Sequence, residues 1–477
     1  MSKNLLLLCL ISISFIGLKS QTTDFDISKY VLPDVKYRSL GTSFYLNNQN
    51  STDYFVGPNY TNSSLALNAF LDYSHYVNTQ KYQSNTVLFD NTSYSFASSR
   101  NFYNSKSHIM NEALGIQSEN RYFFAPKRFI ETGINSDFQV FYNNLLLDYN
   151  SDSSLENTDY QLQYNVFIPV KIGFGRIERV EDARQAYLIV KELEKANADL
   201  KSTDNEKIMQ FARKISEIRN KRVLDYRLRK IYEIEELDSY LTKENLLPQK
   251  SGSVYAHLLD MWAYGALQPR LSGQTFTFGI IGGFSGYNKK YMTNQQTTNK
   301  SDSKYKSLNI ELKYQREKPL NIKWQHSFLA KANMTYLNFD YYKMDLLIDT
   351  SMTLPMLSMN INHSVGYFPN TRTYITAGYQ LFYSHLRNFN DGNFNLFGNY
   401  FSASVFANIQ YYFSPEVSLF VNGRLNLLSY KMDNQFNINS SNPGSSNLEN
   451  VNIPFLINVY QSNSTTSFNI GLNYNIF

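Results

Sequence analysis

The feature that most constrains this 477-residue chain is a hydrophobic period of two that persists over unusually long segments. Between Tyr160 and Phe174, apolar side chains occupy every second position from Leu162 onward, and polar residues occupy much of the other face. The same alternation recurs at 417–427 and 468–476. Because successive side chains of a β-strand point to opposite faces, each segment predicts a strand with one apolar and one polar face.

The alternating segments are predicted to run for about 12 to 17 residues, whereas strands of soluble proteins average about five or six residues. Alternation by itself also fits the antiparallel sheets of a soluble sandwich. Aromatic clusters, however, precede predicted tight turns at 122–124, 367–368 and 411–413. Aromatic rings favour the boundary between lipid and water, so strand length and aromatic ends together favour strands that cross a membrane.

The N-terminus has the pattern of an export signal. Lys3 is followed by an apolar run from Leu5 to Leu18, and polar residues begin at Gln21. We expect residues 1–20 to be a signal peptide that is cleaved. The single cysteine of the sequence lies in this run, so the mature chain is expected to lack disulfides and cysteine-bound metals. No later segment approaches the roughly 20 consecutive apolar residues of a membrane-spanning helix.

A charge-rich segment interrupts the alternating pattern. Residues 176–250 contain 17 Lys+Arg and 15 Asp+Glu, out of 45 and 40 in the whole chain. From Val180 onward, apolar residues recur with a period of 3.6, which predicts helices. Charges at this density cannot lie in lipid. We therefore predict a helical insertion at 175–268 between two β-rich halves, 21–174 and 269–477.

The signal peptide, the alternating strands, the aromatic turns and the terminal Phe477 together resemble the bacterial outer-membrane β-barrel superfamily. The resemblance covers the mature chain apart from the helical insertion. It implies a location in the outer membrane of a Gram-negative bacterium, with outer-membrane lipid and the barrel-assembly machinery as partners. Members of this superfamily usually end in an aromatic residue, which that machinery reads.

The number of strands is consistent with this resemblance. Six strands are predicted before the insertion and eight after it, and a barrel with both chain ends in the periplasm needs an even number. If the first strand runs outward, the short proline-containing turns and the insertion all lie on the periplasmic side. The predicted fold is thus an all-β transmembrane antiparallel barrel of about 14 strands, with an α-helical periplasmic insertion between strands 6 and 7.

Basic residues cluster near the middle of the insertion. The candidates for binding a partner are Arg219, Lys221, Arg222 and Arg227. One interpretation is a solvated helix face with pairs four residues apart, such as Lys221 with Asp225. The other is a docking surface for a periplasmic protein or for an anionic polymer of the envelope.

Polar residues of the alternating strands are expected to face the barrel lumen. The candidates are Asp137, Lys171, Glu311, Lys313, Lys323, Lys331 and Arg424. On the outward face, alternation places Trp324, His326 and His363 close to periplasmic turns. The two histidines have three readings: interfacial residues, a bulge that turns one of them inward, or a patch that contacts protein or links a metal.

No pattern of residues predicts catalysis. His326 and Ser327 are adjacent, as are His363 and Ser364, so each pair points to opposite faces of a strand and cannot form a dyad within it, which leaves open only a dyad between neighbouring strands. No cluster has the spacing of metal ligands, and no cofactor is expected. Gly173 and Gly175 lack the context of a nucleotide-binding loop and are read as a bend. The net charge of +5 gives no reason to expect nucleic acid as a partner.

Three functions remain open from the sequence. The first is a barrel that anchors the helical domain in a binding or scaffold role in the cell envelope. The second is a passive or gated channel or transporter for small solutes or lipids. A hydrolase of the outer membrane is a distant third, and we expect that the protein is not an enzyme. A polar lumen occurs in open and plugged barrels alike, so the sequence does not decide between the first two.

Overall fold

The computed structural model describes residues 25–53, 60–100, 103–149, 153–196, 204–221, 226–247, 251–265, 267–343, 348–387, 394–415, 417–436 and 463–474. The predicted signal peptide, Arg222 and Phe477 lie outside these residues.

Fourteen strands follow one another along the described chain. They are β1 (Val35–Asp53), β2 (Tyr60–Asn78), β3 (Tyr82–Arg100), β4 (Tyr103–Ala125), β5 (Arg128–Tyr149), β6 (Ser153–Arg179), β7 (Leu271–Thr293), β8 (Gln296–Pro319), β9 (Trp324–Lys343), β10 (Ile348–Tyr367), β11 (Thr373–Arg387), β12 (Phe394–Tyr412), β13 (Val417–Phe436) and β14 (Asn463–Tyr474).

All of these strands join one sheet in chain order, and each recorded pair is antiparallel. Strand lengths run from 12 residues in β14 to 27 in β6, so many strands are longer than predicted. The prediction of a long-stranded antiparallel sheet with helices between its sixth and seventh strands is confirmed. A pairing of β1 with β14, which would close the sheet, is not among the pairs recorded for the described residues, so closure stays a prediction.

The two faces of the sheet differ from the inside and outside of a soluble protein. On the outer face, apolar side chains are exposed, for example Phe44 at 74 %, Ile172 at 63 % and Ile280 at 50 %. On the interior face, Glu131 and Glu311 are each only 1 % exposed. Soluble proteins bury many of their apolar side chains and almost never fully bury unpaired carboxylates. The outer face is therefore suited to an apolar solvent, and the interior face to polar contacts.

This assignment of faces can be tested on β13. We expect Leu425→Arg to lower the free energy of unfolding by about 2–4 kcal/mol if the site lies near the bilayer midplane, because the charge would enter lipid. Leu425 is 43 % exposed on the outer face. Asn422→Arg, on the interior face of the same strand, is the matched control and should cost about 0.5 kcal/mol or less. Urea unfolding in lipid vesicles measures both, and equal costs would contradict the assignment.

Four helices connect β6 to β7. They are α1 (Glu181–Ala196), α2 (Asn205–Asn220), α3 (Tyr226–Lys243) and α4 (Gly252–Tyr264). The sequence leaves open whether the second and third helices are continuous, and the structure separates them. Lys221 follows α2 in an extended conformation with ψ of 132°, which ends the helix. No described helix is both long enough and apolar enough to cross a membrane.

The helical domain is bounded by longer strands than predicted. β6 continues to Arg179 and pairs with β7 back to Leu271, so the helices begin at Glu181 and end at Tyr264 instead of filling 175–268. The reason is that the backbone ladder between the two strands continues past the end of the predicted alternation. The helices are therefore held by a two-stranded ribbon and not by flexible linkers.

The core of the helical domain is not formed by the helices alone. Phe211 and Ile215 of α2 pack in one buried cluster with Phe25 and Ile27 from the N-terminal segment and with Ile322 from the turn between β8 and β9. Phe25 and Ile27 are each 1 % exposed. Burying an apolar side chain of this size contributes about 1.5–3 kcal/mol. The N-terminal segment is thus part of the domain's core.

Candidate functional site

Two glycines bend the β6–β7 ribbon just before the helices. Gly175 and Gly273 have φ values of +100° and +122°, a region that glycine adopts readily and other residues rarely do. A Cβ atom on either residue would lie 2.0 Å from a backbone carbonyl oxygen of the partner strand. The bend predicted around Gly175 is therefore present, and these two positions require glycine.

Beyond the bend, the ribbon contacts a turn that belongs to distant strands. Arg176 donates through Nη2 to the carbonyl oxygen of Thr79 at 2.8 Å and to Oδ1 of Asn78 at 2.9 Å. Gln83 donates through Nε2 to the carbonyl oxygen of Ile177 at 3.1 Å. β4 and β5 separate β6 from this β2–β3 turn in the pairing order. The ribbon therefore carries the start of α1 across one end of a curved sheet.

Arg270, just before β7, fixes the domain to the turn between β8 and β9. It is fully buried. Its Nη1 donates to the carbonyl oxygen of Ile322 at 2.7 Å, and its Nη2 donates to those of Asn321 at 2.8 Å and Trp324 at 3.0 Å. Its Nε donates to Oε1 of Gln325 at 3.1 Å. One side chain thus holds four acceptors of a single turn.

Arg184 of α1 makes a second attachment of the same kind. It is 2 % exposed. Its Nε donates to the carbonyl oxygen of Ile322 at 3.3 Å, and its Nη2 donates to that of Asn370, in the β10–β11 turn, at 3.0 Å. Its Nη1 lies 3.4 Å from the carbonyl oxygen of Gly265. Arg184 therefore joins two turns of the sheet to the helical domain.

The two arginines share a desolvated environment. Their guanidinium carbons lie 5.3 Å and 4.3 Å from the centre of the Phe368 ring, for Arg184 and Arg270 respectively. Burial lowers the pKa of Arg184 to about 10 and that of Arg270 to about 9, so both stay charged at neutral pH. None of the ion pairs of the described residues involves either side chain. Backbone carbonyl dipoles thus stabilise two buried positive charges, which makes this attachment specific to one docking geometry.

Further contacts come from α4. The hydroxyl of Tyr264 donates to the carbonyl oxygen of Phe413, in the β12–β13 turn, at 3.2 Å. Arg372, in the β10–β11 turn, forms an ion pair with Asp260. Both of these contacts lie on the second half of the sheet.

The first strand is held by α2. The amide of Lys36, at the start of β1, donates to Oδ1 of Asn220 at 2.7 Å. The hydroxyls of Tyr30 and Ser216 lie 2.7 Å apart. Since β1 and the β12–β13 turn lie toward opposite ends of the strand order, the domain spans this end of the sheet.

The predicted basic cluster is divided by the structure. Arg219 forms an ion pair with Asp182 at 2.8 Å and lies 5.1 Å from the centre of the Trp262 ring, so it links three helices. Lys221 lies 4.0 Å from the centre of the Tyr232 ring. These two cations therefore serve contacts within the domain. Their use as a docking surface stays a prediction.

The first turns of α3 carry a surface that the rest of the domain does not cover. Arg227 is exposed. Leu228 and Ile231 are 50 % and 46 % exposed, whereas Leu237 and Leu241 in the second half of the helix are buried. Only the second half of the apolar stripe of α3 thus packs into the core. With Lys230, which is also exposed, these residues form what we call the α3 surface: Arg227, Leu228, Lys230 and Ile231.

A row of alternating charges crosses the interior face. Glu131 accepts from Arg121 at 2.9 Å and from Lys171 at 3.0 Å. Lys171 also contacts Glu311 at 2.7 Å, and Glu311 contacts Lys331 at 2.6 Å. We call these five residues the interior charge row. Because its two carboxylates are almost fully buried, each needs its cationic neighbours.

The interior charge row crosses β7 at Gly279, which has no side chain. Gly279 pairs with Lys171 on one side and with Glu311 on the other. A Cβ atom on Gly279 would lie 2.8 Å from the Cβ of Lys171. The missing side chain lets Lys171 reach across β7 to the carboxylate of β8.

Other predicted interior residues are placed individually. Asp137 accepts from Asn165 at 2.8 Å. Arg424 lies 5.9 Å from the centre of the Phe406 ring, on its cross-strand partner. Lys323 differs from the prediction, because it lies in the β8–β9 turn, one residue before β9, with an exposed side chain. The turn lies later in the chain than predicted, because β8 continues to Pro319 and β9 begins only at Trp324, so Lys323 is not on the wall of the sheet.

A cavity of about 590 Å³ lies beside the base of the ribbon. Residues of β1 to β4 line one side, and residues of β6 to β8 line the other, so it opens on the interior of the sheet. Its side chains include Tyr37, Tyr76, Arg179 and the predicted interior residue Lys313. The rings of Tyr37 and Tyr76 are stacked, and Arg179 lies 5.6 Å from the centre of each.

The predicted outer residues form a compact aromatic group. The rings of Trp324 and Tyr367 lie 4.4 Å apart. The Nε2 atoms of His326 and His363 lie 2.8 Å apart, while the hydroxyl of Ser327 donates to Glu317 on the interior face. In the part of the chain that the structure describes, no group of three or more His, Cys, Asp or Glu could hold a metal ion.

Sequence reasoning missed several of the residues that shape this site. Arg184 and Arg270 have no sequence signal, because their acceptors are backbone atoms of turns that are distant along the chain. Glu131 had one, since it stands at a polar position of an alternating strand and faces the same side as Lys171. Arg121 has the same signal, since it is the cross-strand partner of Glu131, although it adjoins the aromatic cluster at 122–124.

Comparison with known proteins identifies similar folds only. Neither a protein-family model nor a curated protein sequence matches the chain. Among solved structures, the translocator domain of the autotransporter NalP from Neisseria meningitidis aligns over 80 % of this chain and 88 % of its own, at 8 % identity and a TM-score of 0.28. The Pseudomonas putida toluene transporter TodX aligns over 88 % and 91 %, at 9 % identity and a TM-score of 0.28.

The transport unit of the autotransporter AIDA-I from Escherichia coli aligns over 84 % of this chain and 97 % of its own, at 6 % identity and a TM-score of 0.25. All three are outer-membrane β-barrel proteins, the superfamily that the sequence resembles. With TM-scores below 0.5, none of these matches supports an activity or a substrate for this chain.

Proposed function

We propose that this protein is an outer-membrane β-barrel that anchors its helical domain rigidly at the periplasmic mouth and presents it to a periplasmic partner. The exposed apolar outer face supports placement in a lipid bilayer, where every backbone polar group must be paired. Closure of the barrel through β14 and β1 would satisfy that requirement, because an open sheet has unpaired edges. The predicted signal peptide supports export to this membrane.

The observation that carries the scaffold role is the one-sided docking of the helical domain. α1, α2 and α4 contact the turns and the first strand of the sheet through Arg184, Asn220 and Tyr264. α3 is joined to the neighbouring helices, since Glu236 pairs with Lys214 of α2 and Glu233 accepts from Trp262 of α4. A domain fixed on one side by buried arginines holds its other side at a constant position relative to the membrane.

The α3 surface indicates the chemistry of the partner. Two exposed cations, Arg227 and Lys230, flank the exposed apolar side chains of Leu228 and Ile231. Interfaces of this kind place apolar side chains at the centre and complementary charges around them. We therefore expect a periplasmic protein with an acidic surface around an apolar contact.

Site-specific photo-crosslinking in intact cells tests this role. A photoreactive residue at Ile231 should give one discrete adduct, and the charge reversals Arg227→Glu with Lys230→Glu should lower its yield by about tenfold. The matched control is a photoreactive residue at Lys207, which is exposed on α2 away from the α3 surface. The purified partner should bind the detergent-solubilised protein with the same dependence on charge. Equal adducts at both positions, or no effect of charge reversal, would contradict the scaffold role.

A gated channel is the second candidate, and the polar cavity beside the ribbon favours it. The helical domain spans one end of the sheet, so it would act as the gate. Planar-bilayer conductance distinguishes the two functions, because a scaffold needs no current under any condition. We propose no enzymatic activity.

A further inference from the structure

The cavity beside the ribbon contains more positive than negative charge. Arg38, Arg121, Arg179 and Lys313 are among its lining residues, and Glu119 is the acidic one. Its volume of about 590 Å³ lies within the range of roughly 300–1,000 Å³ that is typical of small-molecule sites.

Two of these cations already have carboxylate partners. Arg121 pairs with Glu119 and with Glu131. Arg179 pairs with Glu181 at the start of α1. Both guanidinium groups are therefore held in fixed positions at the edge of the cavity.

Lys313 is different, because its cross-strand neighbour is another cation. It pairs directly with Lys331 of β9 on the interior face. Like charges opposite each other on neighbouring strands are destabilising. Lys331 forms an ion pair with Glu311 at 2.6 Å. Lys313, in contrast, forms no ion pair with any of the described residues. The ammonium group of Lys313 therefore lines the cavity without an ion pair to a carboxylate of the described residues.

The remaining lining groups suit a hydroxylated molecule. The hydroxyls of Ser39 and Ser74 share a hydrogen bond at 2.6 Å, and the rings of Tyr37 and Tyr76, which stack on each other, also line the cavity. Hydroxyl groups can exchange such contacts for contacts with a ligand, and aromatic rings pack against the apolar side of a sugar ring.

We propose that this cavity is a binding site for a small organic anion, a phosphate or carboxylate carried on a hydroxylated body of about monosaccharide size, with Lys313 as the residue that binds the anionic group. The site lies on the interior of the sheet and away from the α3 surface, so it is independent of the proposed scaffold role.

Isothermal titration calorimetry of the detergent-solubilised full-length protein tests the site with three probes: glucose 6-phosphate, glucuronate and glucose. We expect one or both anions to bind at one site, and glucose to bind at least about tenfold more weakly, because it lacks the charge. A stronger response to one anion identifies the preferred group. Equal binding of glucose, or no binding of either anion, would overturn the proposal.

Variants of Lys313 locate the site. Lys313→Gln should lower the affinity for the anion at least about tenfold, and Lys313→Arg should retain it, because the charge is kept. Lys323→Gln, which removes an exposed lysine of the β8–β9 turn, is the matched control and should bind like wild type. Heat-modifiable migration on gels shows that each variant is folded. An unchanged affinity in Lys313→Gln would assign the binding elsewhere and overturn the proposal.

The two proposals fail separately. Loss of cross-linking at the α3 surface with intact anion binding would count against the scaffold role only. Normal cross-linking with no anion binding would count against this cavity only.

Discussion

Replacing Lys171 with methionine is expected to destabilise the sheet by about 3–5 kcal/mol, the usual cost of leaving a buried charge without its partner. Lys171 lies between Glu131 and Glu311, which are each 1 % exposed. Methionine fills a similar volume, so the effect should come from charge and not from a cavity. Urea unfolding in lipid vesicles, followed by tyrosine fluorescence or by heat-modifiable migration, measures the change.

The control for this experiment removes the charges together. Lys171→Met combined with Glu131→Gln and Glu311→Gln leaves no unpaired buried carboxylate, so stability should return to within about 1–2 kcal/mol of wild type. Lys331 and Arg121 then each lose a carboxylate partner, but the side chain of Lys331 is 38 % exposed and can be hydrated, and Arg121 keeps its ion pair with Glu119. Exposed ion pairs contribute about 1 kcal/mol or less. If Lys171→Met lowers the free energy of unfolding by less than that, water reaches the interior charge row.

Replacing Arg270 with methionine is expected to release the helical domain from the sheet. The substitution leaves the carbonyl oxygen of Asn321 and Oε1 of Gln325 without the donor that Arg270 supplies, at a cost of about 3 kcal/mol or more, while Ile322 keeps Arg184 and Trp324 keeps the amide of Leu320. Amide hydrogens of α1 should then exchange about 100-fold faster, while those of the central strands keep their protection. Hydrogen exchange with mass spectrometry measures both sets in one sample.

A second arginine at the same end of the sheet supplies the control. Arg372 also joins the domain to a turn, through Asp260, but both side chains are about one-third exposed. Arg372→Gln should therefore change exchange in the helices little, since exposed ion pairs contribute about 0–1 kcal/mol. If Arg270→Met and Arg372→Gln have the same small effect, the buried attachment is not what fixes the domain.

Much of the sheet follows from hydrophobic period alone. The outward positions 168, 170 and 172 of β6 carry exposed apolar side chains, as alternation predicts. The pattern stops at Phe174, and so the predicted strand stops there. The real strand continues to Arg179, because its last residues pair with β7 by backbone hydrogen bonds and bend at Gly175. Backbone pairing leaves no trace in side-chain hydrophobicity.

The candidate site was predictable only where it depended on alternation. Lys171 and Glu311 were expected on the interior face, and the structure pairs them. Their contact depends on Gly279 of the intervening strand, which the sequence gives no reason to connect with either residue. The 3.6-residue period of the insertion predicts helices but does not identify what their apolar faces pack against. The core of the helical domain also uses Phe25 and Ile322, which become neighbours of α2 only after the chain has folded around it.

The packing of the N-terminal segment into the helical domain has a consequence for the order of assembly. Tyr30 contacts Ser216, and the amide of Lys36 contacts Asn220, across sequence separations of 186 and 184 residues. These contacts cannot form until the chain has been made as far as α2. Contacts of such long range are slow to form, because the closure entropy of the intervening loop opposes them. The loop between β1 and β14 is longer still, so we expect the helices to hold β1 before it pairs with β14. The edge of β1 that is to pair with β14 would then be held in a fixed position and orientation before β14 reaches it.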